Sequence, residues 1–448
     1  MHIRHFLAVI AAYLLLTTLY NFAIPAGEAP DEPEHARYTR IILETGQFPT
    51  IPLNSARYAY EAEQPPLYYI LSAGWIAALW PNTRIFPDLP ANPDFDFSKE
   101  TPYNVYLHTY PAQDDVPAHL LRLLSTLIGL VTLLLIWITA REAWPDPLPD
   151  TDQPSPNSHA ALIALGFAAL LPGFTFTSAT ITNDSIAAAL GAAITYLCIR
   201  IIRRGITLPL AIGAGAVLGL GLMSKWSIVV FAPLLVIACL LASKQSWRTR
   251  ITNIIVIGAT SIAVGIWPFL SNFLEYGDPT ASAARMAAKH ELASPLANMP
   301  FFWLDRGYIA GLLDSLWGVF GLRNMSLPGL AYIPYYLLFL AGIGAALYSL
   351  RKSNSAHRKI ILILSLALIF IYAGVAYQNT QFWAIQGRLL LPGFCALALL
   401  IGTGTNSLIY LLPARLRTST ILPIALLVGL FFLNLYALVG KLIVSYYS

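Results

Sequence analysis

Long apolar stretches alternate with short polar ones along almost the whole 448-residue chain. A helix that crosses a bilayer needs about 20 mostly apolar residues. Eleven stretches have that character: 6–24, 117–140, 159–179, 184–202, 207–223, 226–243, 251–271, 332–350, 360–377, 389–411 and 421–446. Several contain Pro or Gly, which membrane helices tolerate where neighbours satisfy the freed backbone groups. The pattern predicts an all-α polytopic membrane protein with about eleven transmembrane helices, a single transmembrane unit over 1–448. No small-residue cleavage site follows the first stretch, so it reads as a retained helix rather than a leader.

Two polar intervals are long, 25–116 and 272–331. In the first, "EHARYTRIILETGQFP" has the spacing of a short amphipathic helix ending near Gly46. "QPPLYYILSAGWIAALW" opens with prolines suited to a helix N-terminus and is too short to span comfortably. Both read as helices lying at the membrane surface. The second interval holds "FFWLDRGYIAGLLDSLWGVFG", again aromatic and amphipathic.

Composition agrees with this picture. Hydrophobic residues make up 57% and charged ones 11%, against about 25% charged in soluble domains. The net charge of +4 is unremarkable, and no nucleic-acid partner is expected. Its distribution is more informative. With the N-terminus cytoplasmic, four successive inner loops carry Arg200/Arg203/Arg204, Lys244/Arg248/Arg250, Arg351/Lys352/Arg358/Lys359 and Arg415/Arg417. All acidic residues except Glu142, Asp146, Asp150 and Asp152, in and beside a Pro/Asp-rich stretch at 145–156, then fall on the outer side. The polar chemistry and the C-terminus are therefore expected outside the cytoplasm. Cys198, Cys239 and Cys395 lie in apolar runs and read as buried small hydrophobes. There is no P-loop, no GxGxxG after a strand, no HExxH and no nucleophile elbow, so a nucleotide-sugar site is not supported.

The first span is followed by "PDEPEHARY", with "QPPLYY" later in the same loop. Downstream come "TNDS", "GLMSKWS", "DSLWGVFG" and "QGRLLLP". This ordered set resembles the GT-C glycosyltransferases, in particular bacterial membrane proteins related to protein O-mannosyltransferases and aminoarabinose transferases. The resemblance runs through nearly the whole chain. Members often carry an additional soluble domain, whereas the chain ends at Ser448 just after its last predicted span. The resemblance implies a helical bundle with interfacial helices after the first span. It also implies transfer of a sugar from a polyprenyl-phosphate carrier, with inversion, to a lipid, glycan or protein acceptor outside the cytoplasm. The implied location is a bacterial or archaeal plasma membrane.

Such a transfer needs a base for the acceptor proton and positive charge for the departing phosphate. The resemblance puts the catalytic carboxylate in the first outer loop, which selects Asp31, with Glu32 as the alternative. A partly desolvated site is expected to raise its pKa. Asp31 is also a natural helix N-cap. His35, four residues on, forms with Asp31 a candidate pair for a divalent cation, Mg, Mn or Zn. Arg388, Lys225 and Arg122 are the candidate phosphate ligands. Snorkelling is the alternative for Arg388, and pairing with an outer-loop acid is the alternative for Arg122. Gln64, Tyr68, Asp184, Trp317 and Gln386 are candidate substrate contacts. Asp184 or Asn183 also suits a helix cap, and aromatics such as Tyr69 and Trp383 suit an interfacial belt. A transporter, a flippase or a non-catalytic partner of the same fold are the competing readings. Span centres almost free of charge favour surface chemistry over passage.

Overall fold

A computed structural model describes residues 2–52, 54–80, 89–96, 103–108, 116–145, 159–243, 245–289, 294–351, 354–417 and 419–447. Most of the Pro/Asp-rich stretch, with Lys244 and Lys352, lies outside them. All eleven predicted spans are helical. Among the described residues, seven helices are long and apolar enough to cross a bilayer, and nine if two bent pairs each count as one span. The remaining two predicted spans, Leu208–Leu222 and Trp226–Leu241, are shorter apolar helices. The expected eleven is therefore not reached by length.

The bends have a local cause. Helix Ala160–Ala169 stops three residues before Pro172, because proline disfavours helical geometry at the residue before it. Leu171 accordingly adopts extended angles, and helix Pro172–Ser178 leaves at 60°. The carbonyl freed at Leu170 accepts from Asn434 Nδ2 at 3.0 Å, and Asn434 in turn accepts from Tyr20 Oη. A neighbouring helix thus repays the broken backbone bond, as a membrane interior demands. Trp247–Gly265 and Trp267–Tyr276 meet at 55° at Ile266, two residues ahead of Pro268, and there the linking residue keeps helical angles and its carbonyl accepts from Leu270 N.

Two helices form the centre of the bundle. Of the apolar segment in Gly387–Ile409, 89% is buried, and in Asp184–Arg204 72%, against 22% in Gly329–Ser349. The outer helices present bare leucines such as Leu330, Leu337 and Leu340. In a bilayer these faces meet acyl chains at no cost, so the chain is an integral membrane protein.

Helices Glu32–Thr45 and Leu67–Leu79 cap one end. The first closes at Gly46, whose φ of 66° is the left-handed turn that glycine supplies. Helix Arg306–Gly318 packs against Gly387–Gly393 and Pro172–Ser178 and leads into a two-residue-per-strand hairpin, Val319–Phe320 with Met325–Ser326. The opposite end gathers the basic loops. There Arg203 donates to the Ala143 carbonyl, Arg250 to those of Leu240 and Ala242, and Lys359 to that of Leu241. The 21 residues of Asp184–Arg204 separate the two ends by roughly 30 Å at 1.5 Å per residue.

Candidate active site

Asp31 begins the site. It precedes helix Glu32–Thr45 with φ 59° and ψ 7°, a left-handed conformation uncommon outside glycine. Its carbonyl starts the helix by accepting from His35 N at 3.0 Å, while its side chain makes no capping bond. The carboxylate turns away instead and meets Arg388 Nη2. A non-glycine residue in this region costs about 1–3 kcal/mol and tends to persist where it aims a functional group. Burial pushes the Asp31 carboxyl up, but the pull of the cations beside it, Arg388 foremost and Lys225 after it, outweighs this and holds the group at about 2. The raised pKa expected for the base is therefore reversed while Arg388 is beside it.

Arg388 reaches this point because two glycines let backbones touch. A Cβ on Gly387 would lie 2.1 Å from Leu316 N, and one on Gly191 2.1 Å from the Pro392 carbonyl. Helices Arg306–Gly318 and Asp184–Arg204 therefore clamp the tight 3₁₀ segment Gly387–Gly393 from two sides. Arg388 Nε then donates to Gln386 Oε1 at 2.6 Å, and its Nη1 lies 3.4 Å from Asp184 Oδ2.

Asp184 opens its helix, where the dipole favours a negative charge. Thr182 Oγ1 donates to it at 3.1 Å, and Lys225 Nζ pairs with its other oxygen. Lys225 comes from the tight turn closing helix Leu208–Leu222, where its N–H and that of Ser224 both donate to the Gly221 carbonyl. Two carboxylates and two cations thus alternate: Asp31, Arg388, Asp184, Lys225.

They line a cavity of about 720 Å³ at the capped end of the bundle. Glu61 and Arg285 add charge to its wall, with Gln64, Gln378 and Gln386 as amides and Trp226, Phe382 and Trp383 as aromatic surfaces. Gln64 accepts from Asn183 at 3.3 Å. Beside it runs a second cavity of about 710 Å³, lined almost wholly by apolar and aromatic side chains including Phe302, Leu316, Phe339, Leu368 and Leu397. The two walls meet in sequence at Tyr377/Gln378 and Leu390/Leu389.

The fold has known counterparts. ArnT from Cupriavidus metallidurans bound to undecaprenyl phosphate superposes with a TM-score of 0.62 over 99% of this chain and 78% of that one, at 13% identity. The apo state of the same protein gives 0.58 at 12% identity, over 98% and 77%. The chain has the GT-C fold. The GT-C match extends to the Archaeoglobus fulgidus oligosaccharyltransferase complex with Zn and sulfate, at TM-score 0.55 and 15% identity, covering 95% of this chain and 52% of that one. Residues 115–271 match the family described as dolichyl-phosphate-mannose-protein mannosyltransferase. No curated protein matches the sequence.

Within this GT-C bundle the structure brings Asp31, Asp184, Lys225, Arg388, Gln64, Gln386 and His35 to one cavity. It takes four other expected site residues elsewhere. Glu32 is fully buried and its carboxylate is used up. It accepts from Arg122 Nε and Nη2 at 2.7 Å each, and from the backbone N–H of Gly27 and Ile181. Arg122, equally buried, spends its remaining donors on the carbonyls of Asn21, Ile24 and Pro25. This pair ties the end of the first helix to the bundle, and neither member lines the cavity, so pairing with a loop acid is the reading of Arg122 that holds. Tyr68 is buried, with its hydroxyl on Ser125 Oγ and Thr182 N. Trp317 is wedged among Phe167, Tyr335 and Phe339 in the bundle core.

His35 lines the cavity with its Nδ1 2.9 Å from Tyr69 Oη, and burial lowers its pKa, which favours the neutral ring. Among the described residues no three His, Cys, Asp or Glu side chains are grouped to hold an ion. The two carboxylates nearest the centre already face Arg388 and Lys225.

Sequence reasoning passed over Glu61, Arg285, Trp226, Gln378 and Phe382. Glu61 stands three residues before the quoted Gln64, so extending that motif would have reached it, and Trp226 lies inside the quoted "GLMSKWS" beside Lys225.

Proposed function

We propose that the protein is a glycosyltransferase that moves a sugar from a polyprenyl-phosphate carrier to an acceptor hydroxyl outside the cytoplasm, with inversion. One observation carries the reading. A polar cavity holding an exposed-edge carboxylate and two cations opens beside an apolar cavity of similar size, on a GT-C bundle. That pairing suits a ligand with a charged phosphate head and a long apolar tail. The undecaprenyl phosphate bound by ArnT is such a ligand. The basic loops at the far end favour the cytoplasmic side for that end, and hence the outer leaflet for the cavity.

In this reading the phosphate sits against Arg388 and Lys225, with the tail along Phe339, Leu368 and Leu397. The acceptor oxygen attacks the anomeric carbon from the face opposite the phosphate. The bond from that carbon to the phosphate oxygen breaks, and its electron pair leaves with the polyprenyl phosphate. Arg388 and Lys225 meet the charge that develops there, where preformed cations need no reorganisation. Asp31 accepts the acceptor's proton and later releases it to water.

Arg388→Gln is expected to weaken polyprenyl-phosphate binding about 10–100-fold, the worth of charge-assisted hydrogen bonds. Acceptor KM is expected to move far less. Equal loss for donor and acceptor would mean that Arg388 holds the fold rather than the phosphate.

A further inference from the structure

Of the cavity's cations, Arg285 pairs with Glu63 at 3.1 Å, while Arg388 and Lys225 are paired with Asp31 and Asp184, so a phosphate reaching these last two must either bring excess negative charge or displace one of their two partners. The two carboxylates are not equally easy to displace. Asp184 is 1% exposed and held from three sides by Lys225, Arg388 and Thr182. The Asp31 side chain is 38% exposed. Among the described residues its carboxylate has no hydrogen-bond donor other than Arg388, and its side chain makes no helix-capping bond that would fix it.

We propose that Arg388 is exchanged between Asp31 and the donor: with the cavity empty the guanidinium neutralises Asp31, and the donor's phosphate takes that edge of the guanidinium and sets the carboxylate free. This inference rests on the polyprenyl-phosphate reading above and adds an order to it. Asp31 is silenced as a base until the donor is in place. An acceptor hydroxyl or a water entering first meets a carboxylate whose charge is already satisfied. Asp184 stays with Lys225 throughout and keeps the second cation in position for the phosphate. No bond is made or broken in the exchange; one charge-assisted hydrogen bond replaces another.

The exchange makes Asp31 a competitor of the donor, which a simple base is not. Asp31→Asn keeps the side-chain shape, and Asn tolerates the left-handed backbone better than most residues. Asp31→Gly removes the side chain and suits φ 59° without strain. Binding of undecaprenyl phosphate in detergent, followed by tryptophan fluorescence from Trp226 and Trp383 in the cavity wall, is expected to tighten about tenfold in both variants. In an Arg388→Gln background the same Asp31 substitutions are expected to change affinity by less than about threefold, because there is no shared partner left to release. Unchanged or weaker binding in both single variants overturns the exchange. So does a tightening that persists without Arg388, which would mean plain repulsion between Asp31 and the phosphate. A wild-type protein that binds no undecaprenyl phosphate at all overturns the functional reading and the exchange with it.

Discussion

Asp31→Asn is expected to lower sugar transfer by about 10²–10⁴-fold, the usual worth of a positioned general base. The folded protein should survive the change. Asp31 lies outside the apolar spans, makes no capping bond and is part-exposed, so the substitution removes neither packing nor a helix end. What it removes is the carboxylate facing the cavity. The neighbouring acid cannot replace it, because both Glu32 oxygens are engaged by Arg122 and backbone N–H groups. Turnover in purified protein checks this, with thermal unfolding measured in parallel. Near-normal turnover by a folded variant would remove Asp31 from the chemistry.

Arg122→Met and Glu32→Gln form the second pair, and their expected effect is on stability. Breaking a fully buried ion pair from one side leaves the other charge uncompensated, which costs about 3–5 kcal/mol. Here the loss is compounded, because Arg122 also serves three backbone carbonyls at the end of the first helix. For the same reason a double variant with both residues made apolar is not expected to recover fully, although an isolated buried pair often can be replaced that way. The expected result is a large fall in the unfolding temperature in detergent, with activity lost only as the protein unfolds. Glu32→Gln with normal thermal stability and no turnover would return Glu32 to the reaction.

Much of the fold was readable from periodicity. All eleven apolar runs are helical, two of them as bent pairs, because in lipid a helix satisfies its backbone within its own segment. The span count was less readable, since length in sequence does not report bends. The prolines at 172 and 268 were visible, yet the 60° and 55° angles depend on how neighbours pack.

The site was legible in residue type and less so in direction. Asp31 and Glu32 are adjacent, and a choice between them cannot be made from spacing. The structure places them differently: Asp31, with its positive φ, has its carboxylate in the cavity, and the Glu32 carboxylate faces the bundle, which supports the role proposed for Asp31. Arg122 stood out as a charge inside an apolar run, but the sequence does not show whether such a charge serves a ligand or a buried partner. Trp317 reads from the sequence as a candidate substrate contact on an amphipathic segment. Gly173 and Gly387 draw that helix in against the bundle, where a Cβ on either would meet the backbone of Leu316 at 2.1 Å, and the indole is buried as a result. Glu61 and Arg285 come from loop and short-helix segments with no period to reveal their facing.

The most direct measurement is a density map of the protein with undecaprenyl phosphate in lipid nanodiscs. The account predicts the phosphate within hydrogen-bonding distance of Arg388 and Lys225, and the isoprenoid chain along the apolar wall that includes Phe339, Leu368 and Leu397. A phosphate seated elsewhere, with the Asp31, Arg388, Asp184 and Lys225 cluster closed and the apolar cavity empty, would contradict it.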